Sequence, residues 1–138
     1  MSSKRLEAFA VDGIPLVQPG DDLGALIIAA IEHSHLTPVQ GDVVVVAQKI
    51  VSKAENRIVK MSSIKPSERA LKIAAEINKD PAMVELVLSE SKAIIATGNN
   101  VLIVEDKRGF ILANAGIDRS NIEDSENRAL LLPEDANA

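Results

Sequence analysis

Residues 113–121 read Ala113-Asn114-Ala115-Gly116-Ile117-Asp118-Arg119-Ser120-Asn121. Two alanines and a glycine are followed at once by a carboxylate, a guanidinium, a hydroxyl and an amide. Small residues let the backbone approach a ligand closely, and Gly116 permits positive φ. An oxygen ligand such as Asp118 suits Mg²⁺ or Mn²⁺. Two readings stay open on these residues alone. One is a polar turn closed by Asp and Ser side-chain bonds; the other is a metal or phosphate site carried on a loop.

A second set is Gln48-Lys49-Ile50-Val51-Ser52-Lys53-Ala54-Glu55. Lys49 and Lys53 are four apart, so a helical turn places both ammonium groups on one face. With the Gln48 amide and the Ser52 hydroxyl they can hold a polyphosphate, or they form a solvated amphipathic turn with a Lys–Glu pair. Neither GxxxxGK[ST] nor GxGxxG occurs, which excludes the standard phosphate loops. His33 and His35, two apart, do not share a helical ligand face. Asp21-Asp22 reads as helix capping, and Asp124 and Glu126 as a solvated acidic loop. Glu90, between a helix and a strand, has no role assigned by its neighbours.

The elements that must position these groups follow from periodicity and breakers. Leu6 to Val11 reads as a strand, Ile14 to Val17 as extended chain, and Asp21 as the cap of a helix whose apolar stripe is Leu23, Leu26, Ile27, Ala30 and Ile31. Val43 to Val46 reads as the clearest strand, with four valines implying burial on both faces. Arg57 to Val59 reads as a short strand. Helices are expected from Pro66 to Ile77 and from Pro81 to Ser89, each with proline at its first position. Strands follow at Ala93 to Ala96, Val101 to Val104 and Phe110 to Leu112. The irregular interleaving, with hairpin-like steps, predicts an α+β fold: a mixed β-sheet packed with helices. Leu130-Leu131-Leu132-Pro133 is an apolar segment that must pack on something.

Composition narrows the function class. In 138 residues, 46% are apolar but only 1% aromatic, so the core is aliphatic and stacking platforms for single-stranded nucleic acid are absent. A net charge of −5 argues against a nucleic-acid binder. The lack of cysteine excludes disulfides and thiolate chemistry. No stretch has the length of a signal-peptide core or a membrane span, and a soluble cytoplasmic protein is expected.

Taken in order, Gly13-Ile14-Pro15-Leu16, Pro19-Gly20-Asp21-Asp22-Leu23, the run from Gly41 to Glu55, the run from Ala113 to Asn121, and Leu131-Leu132-Pro133 resemble the coenzyme F420-0:gamma-glutamyl ligase family. The resemblance extends from about Leu6 to Ala138. It implies an enzyme that uses GTP and a divalent metal, Mg²⁺ or Mn²⁺, to attach L-glutamate to coenzyme F420-0 through an acyl phosphate. By motif position, Ile14, Pro15, Leu16, Val17, Gln48, Lys53 and Asn121 are nucleotide-binding, with Lys53 on phosphate, and Asp118 is the metal ligand. Asn56 stands where the family usually has glycine, and asparagine is the next most tolerant residue for left-handed backbone. The family's chain is nearly twice this length, and its later half carries an Asp-Thr pair completing the metal site and a Gly-Arg segment after it. Residues 1–138 are therefore expected to be the N-terminal part of such a ligase, inactive alone. The expected assembly is a homodimer or a pairing with a separate C-terminal half; no nucleic-acid or membrane partner is expected. The alternative is a non-catalytic nucleotide-binding or assembly module that needs a partner chain.

Overall fold

The computed structural model describes residues 5–120 and 127–134. The chain divides into two units, Met1–Asn56 and Arg57–Ala138. Helices and antiparallel ladders coexist, as the α+β class requires. Where a mixed sheet was expected, every described ladder is antiparallel.

The first unit holds two helices, α1 (Leu23–His33) and α2 (Gln48–Ala54). Asp22, not Asp21, caps α1, accepting from the Ala25 amide at 3.0 Å. Asp21 instead accepts from the Gln18 amide at 2.7 Å and closes the turn before the helix. The predicted stripe of α1 is its covered side: Ala30 is buried and Leu23, Leu26, Ile27 and Ile31 are half-buried. Helix α2 ends where Asn56 takes a φ of 55° and donates its amide to the Lys53 carbonyl. Asparagine therefore does serve in the left-handed position here, as its tolerance of that geometry predicts. Two strand predictions fail here. Neither Leu6 to Val11 nor Val43 to Val46 lies in a strand, and the valines are 83%, 55%, 90% and 37% exposed in order. A strand needs a neighbour to satisfy its backbone, and among the described residues Val43 to Val46 have none.

The second unit carries the core. Strand β1 (Ile58–Lys60) is followed by α3 (Glu68–Ile77), α4 (Pro81–Ser89), β2 (Ser91–Gly98), β3 (Val101–Asp106), β4 (Ile111–Ala113) and β5 (Arg128–Leu130). Strands β2, β3 and β4 form one sheet in that order; β1 pairs with β5 in another. Helix α3 starts two residues later than proline placement suggested. Ser67 is its cap, accepting from the Ala70 amide, and Pro66 stands just outside. The Ser67 hydroxyl also donates to Glu85 on α4 at 2.6 Å. This bond, with one from the Ser67 amide, holds the exposed Glu85 carboxyl below its ordinary pKa. The core is aliphatic and methionine-filled, as composition required: Ala70, Ala74 and Ile77 of α3 and Val84 and Val87 of α4 pack with Leu102, Val104, Ala115 and Leu131.

Period-two alternation along β3 puts Leu102, Val104 and Asp106 on one buried face. A carboxylate there must be surrounded by donors. Asp106 accepts from Arg108 Nε and Nη2 at 2.9 and 2.6 Å, and from the amides of Arg108 and Phe110, both at 2.9 Å. Burial opposes the charge of Asp106, yet the Arg108 guanidinium and the Phe110 and Arg108 amides outweigh it and hold the carboxyl below the usual carboxylate range. Arg108 Nη1 also donates to the Pro133 carbonyl at 3.1 Å, and Arg57 Nε donates to the Leu132 carbonyl at 3.0 Å. Two guanidinium groups thus grip the leucine-proline segment, whose Leu130 and Leu131 are buried in this same unit.

Past β4 the chain makes a left-handed turn of three residues. Asn114, Ala115 and Gly116 have φ of 50°, 53° and 68°. Left-handed geometry costs an L-residue about 1–2 kcal/mol, so the surroundings must impose it. The Asn114 side chain accepts from the Leu102 amide, Ala115 is 3% exposed in the core, and Gly116 lies against Leu132. A Cβ at Gly116 would stand 2.6 Å from Leu132 Cδ1.

Two outcomes follow from these contacts. Asp106→Asn should lower stability by about 2–4 kcal/mol at pH 7, because the partly buried Arg108 loses its anion. A depressed folded-state pKa stabilises fully above the unfolded value of about 3.9 and is lost as pH falls through the folded value. Urea midpoints of the two proteins should therefore converge below about pH 4; a constant gap down to pH 2 would contradict the assignment. Gly116→Ala should cost about 1–2 kcal/mol with an unchanged urea slope. Combined with Leu132→Ala, its effect should be less than additive.

Candidate functional site

Within the first unit, the sequence motifs around 13–20 and 41–55 are tied together. The Gly20 amide donates to the Ala54 carbonyl at 2.8 Å, which joins the end of the 13–20 loop to the last turn of α2. Ile14 is half-buried, Pro15 and Leu16 are exposed, and Val17 is 6% exposed. Val17 is thus the anchor of this stretch, while the 83%-exposed Leu16 presents its side chain outward. The loop is held at its start by the Asp12 amide on Ser34 Oγ at 3.0 Å. Gly13 has a φ of 84°, and a Cβ there would meet the His33 ring at 3.1 Å, so the residue is required both for its backbone and for its size.

Gln48 opens α2 and Lys53 lies in its last turn. The segment is helical, so Lys49 and Lys53 lie one turn apart on it. Gln48 Nε2 donates to Ser52 Oγ at 3.3 Å, and Ser52 is fully buried. The amide and hydroxyl that the sequence offered to a ligand are therefore bonded to each other along the helix. Lys53 is half-buried, as is Lys49, while Gln48 and Leu16 are exposed.

Asp118 stands in the second unit, two residues beyond the left-handed turn. Its backbone is fixed against β5: its amide donates to the Leu130 carbonyl at 3.0 Å, and the Leu130 amide donates to its carbonyl at 2.7 Å. Asp118 is half-buried, and its carboxyl accepts from the Ser120 amide at 2.7 Å. Arg119 reaches toward Asp80, with 3.9 Å between the charged atoms. Asn121, the remaining predicted nucleotide contact, lies outside the described residues, as do Asp124 and Glu126. Among the described residues no three His, Asp or Glu side chains gather where they could share a metal ion. One carboxylate does fit Mg²⁺, which retains water and takes substrate phosphate oxygens in place of an all-protein cage.

A charged hollow lies elsewhere in the second unit. Arg57, Glu90, Asp106, Lys107 and Arg108 border a cavity of about 90 Å³ beside Pro133. Its charges serve one another: Arg57 and Lys107 bind Glu90 at 2.6 and 3.2 Å, and Arg108 binds Asp106 at 2.6 Å. This supplies the role for Glu90 that its sequence neighbours did not. The alternation Leu102, Val104, Asp106 was the signal that could have located the cluster. Its geometry is that of a clamp on residues 131–133 and not of a ligand site. No described helix is long and apolar enough to cross a membrane.

A family model described as F420-0:Gamma-glutamyl ligase matches residues 13–138. The protein of Methanothermobacter thermautotrophicus named Coenzyme F420:L-glutamate ligase is 45% identical over 119 residues, covering 86% of this chain and 47% of its own length. The proteins of that name from Archaeoglobus fulgidus and Haloarcula marismortui are 43% and 44% identical, over 94% and 96% of this chain and 48% and 51% of their own. The chain thus spans about half the length of the curated relatives it matches. Both the 13–20 loop with α2 and the turn leading to Asp118 fall inside the matched stretch, and the chain belongs to the F420-0:gamma-glutamyl ligase family.

Proposed function

We propose that this chain supplies the nucleotide-contacting part, and one metal ligand, of an enzyme that joins L-glutamate to coenzyme F420-0 at the expense of GTP. The observation that carries the reading is the family match over residues 13–138, which includes every residue assigned a role. The loop 14–17 lies along the guanine nucleotide, Gln48 contacts it, and the Lys53 ammonium meets phosphate. Asn121 is a further nucleotide contact. Asp118 holds Mg²⁺ or Mn²⁺, which when bound would neutralise phosphate charge as it shifts. Transfer of the terminal phosphoryl group to the coenzyme carboxylate makes an acyl phosphate. The glutamate amine then attacks the acyl carbon, forming the amide and releasing phosphate. Activation is needed because a bare carboxylate is a poor electrophile, and prearranged charge supplies most of the rate.

Because the chain spans about half of its relatives' length, the catalytic set is completed by groups from the other half of the family's sequence. Small-molecule substrates suffice for this chemistry; the assembly is a homodimer or a pairing with that other half, in the cytoplasm. The coverage also favours a second reading, a nucleotide-binding assembly module with no turnover of its own.

The 138-residue protein, given GTP, Mn²⁺, L-glutamate and coenzyme F420-0, should form no glutamylated product by mass spectrometry. GTP with Mn²⁺ at one hundred times its Kd should still stabilise it by about 2.7 kcal/mol. Lys53→Ala and Asp118→Ala should each abolish most of that thermal shift. A shift of equal size in both variants would remove the proposed site, and turnover by the chain alone would remove the need for a second half.

A further inference from the structure

The first unit is deficient in buried apolar surface. Among its described residues only Val17, Ala30 and Ser52 are buried, and none belongs to the core cluster. Leu6, Phe9, Leu16, Ile28, Val39 and Val43 to Val45 are more than half exposed, and Val46 is 37% exposed. A unit of this size cannot offset its chain entropy with so little burial. The valine run is the most pronounced case. Four β-branched residues prefer a pleated, covered surface, and being apolar on both faces they suit a strand sandwiched between layers. They lie between the Gln40–Gly41 turn and α2, and among the described residues none makes a backbone hydrogen bond. A run of strand-favouring residues with its backbone unpaired is a template for another strand.

The exposed apolar residues sit on several elements: the 6–16 stretch, α1, the 39 loop and the valine run. Pairing two copies along the valines would cover only the last. Covering them all takes a body of size comparable to the unit. The matched relatives carry about as much sequence again outside the matched stretch. We propose that Val43 to Val46 is the docking edge for a β-strand from that outside stretch, on whatever polypeptide carries it. The proposal rests on family membership and not on the catalytic reading.

The test is hydrogen exchange at the Val43 to Val46 amides of the 138-residue chain. The probe is a recombinant polypeptide holding the part of the Methanothermobacter thermautotrophicus relative outside its matched stretch, co-expressed or added. Exchange should be near the open-chain rate without the probe and at least about 100-fold slower with it. Val45→Lys, at a position 90% exposed, should leave the melting of the chain alone unchanged and weaken probe binding at least about tenfold. Protection already present in the chain alone overturns the proposal. So does protection that grows with chain concentration in the absence of probe, which marks a second copy. Failure of the two polypeptides to associate, or association with the four amides still open, overturns it as well. Since exchange is read and not turnover, the result stands apart from whether the assembly glutamylates.

Discussion

A carboxylate can share the buried face of a strand with Leu102 and Val104 only if it never lacks donors, and Asp106 meets that condition through one arginine and two amides. Much of the second unit is arranged around this requirement. The turn after β3 folds back so that the Phe110 amide reaches the carboxylate, which aims β4 along β3. Arg108, once anchored, extends to Pro133 and fixes the segment that follows β5. Arg57 and Glu90 repeat the device alongside, with side chains about one-fifth exposed. Buried ion pairs add little net stability over apolar packing, but losing one partner is costly. The cluster therefore specifies where residues 130–134 lie more than it strengthens the fold.

The left-handed turn illustrates the same logic in backbone terms. Three consecutive residues with positive φ are held by a side-chain acceptor, a buried methyl and a contact that only glycine permits. Such strain persists only where neighbours over-determine it. Its effect is local and specific: the chain leaves the core at Ala115 and arrives three residues later against β5, with the Asp118 carboxyl beside the Ser120 amide.

What could be read from the sequence depended on whether the deciding interaction was local. Helix α4 and its Asp80 cap, the Ser91–Asp106 hairpin and the aliphatic core follow from spacing, capping and composition, all properties of short windows. The start of α3 was displaced because Ser67 competes with Pro66 for the boundary and gains a second partner, Glu85, from another helix. The valine run was misread because strand propensity says only that a residue suits a covered ladder, not that this stretch of chain provides the ladder. For the candidate site, the motifs pointed to residues, and α2 places both lysines one turn apart. The bond between Gln48 and Ser52, and the cluster joining Arg57 to Glu90 across 33 positions, lay beyond any local window.

Strands β1 and β5 pair with Ile58 opposite Leu130, and the Leu131 amide then bonds the Arg57 carbonyl. The polypeptide consequently enters and leaves the second unit at neighbouring points on one edge. A module whose entrance and exit coincide can be spliced into a host, or joined to new flanking sequence, without being pulled apart. Such a layout lets evolution lengthen, shorten or divide what surrounds residues 57–131 while the aliphatic body between them is left undisturbed.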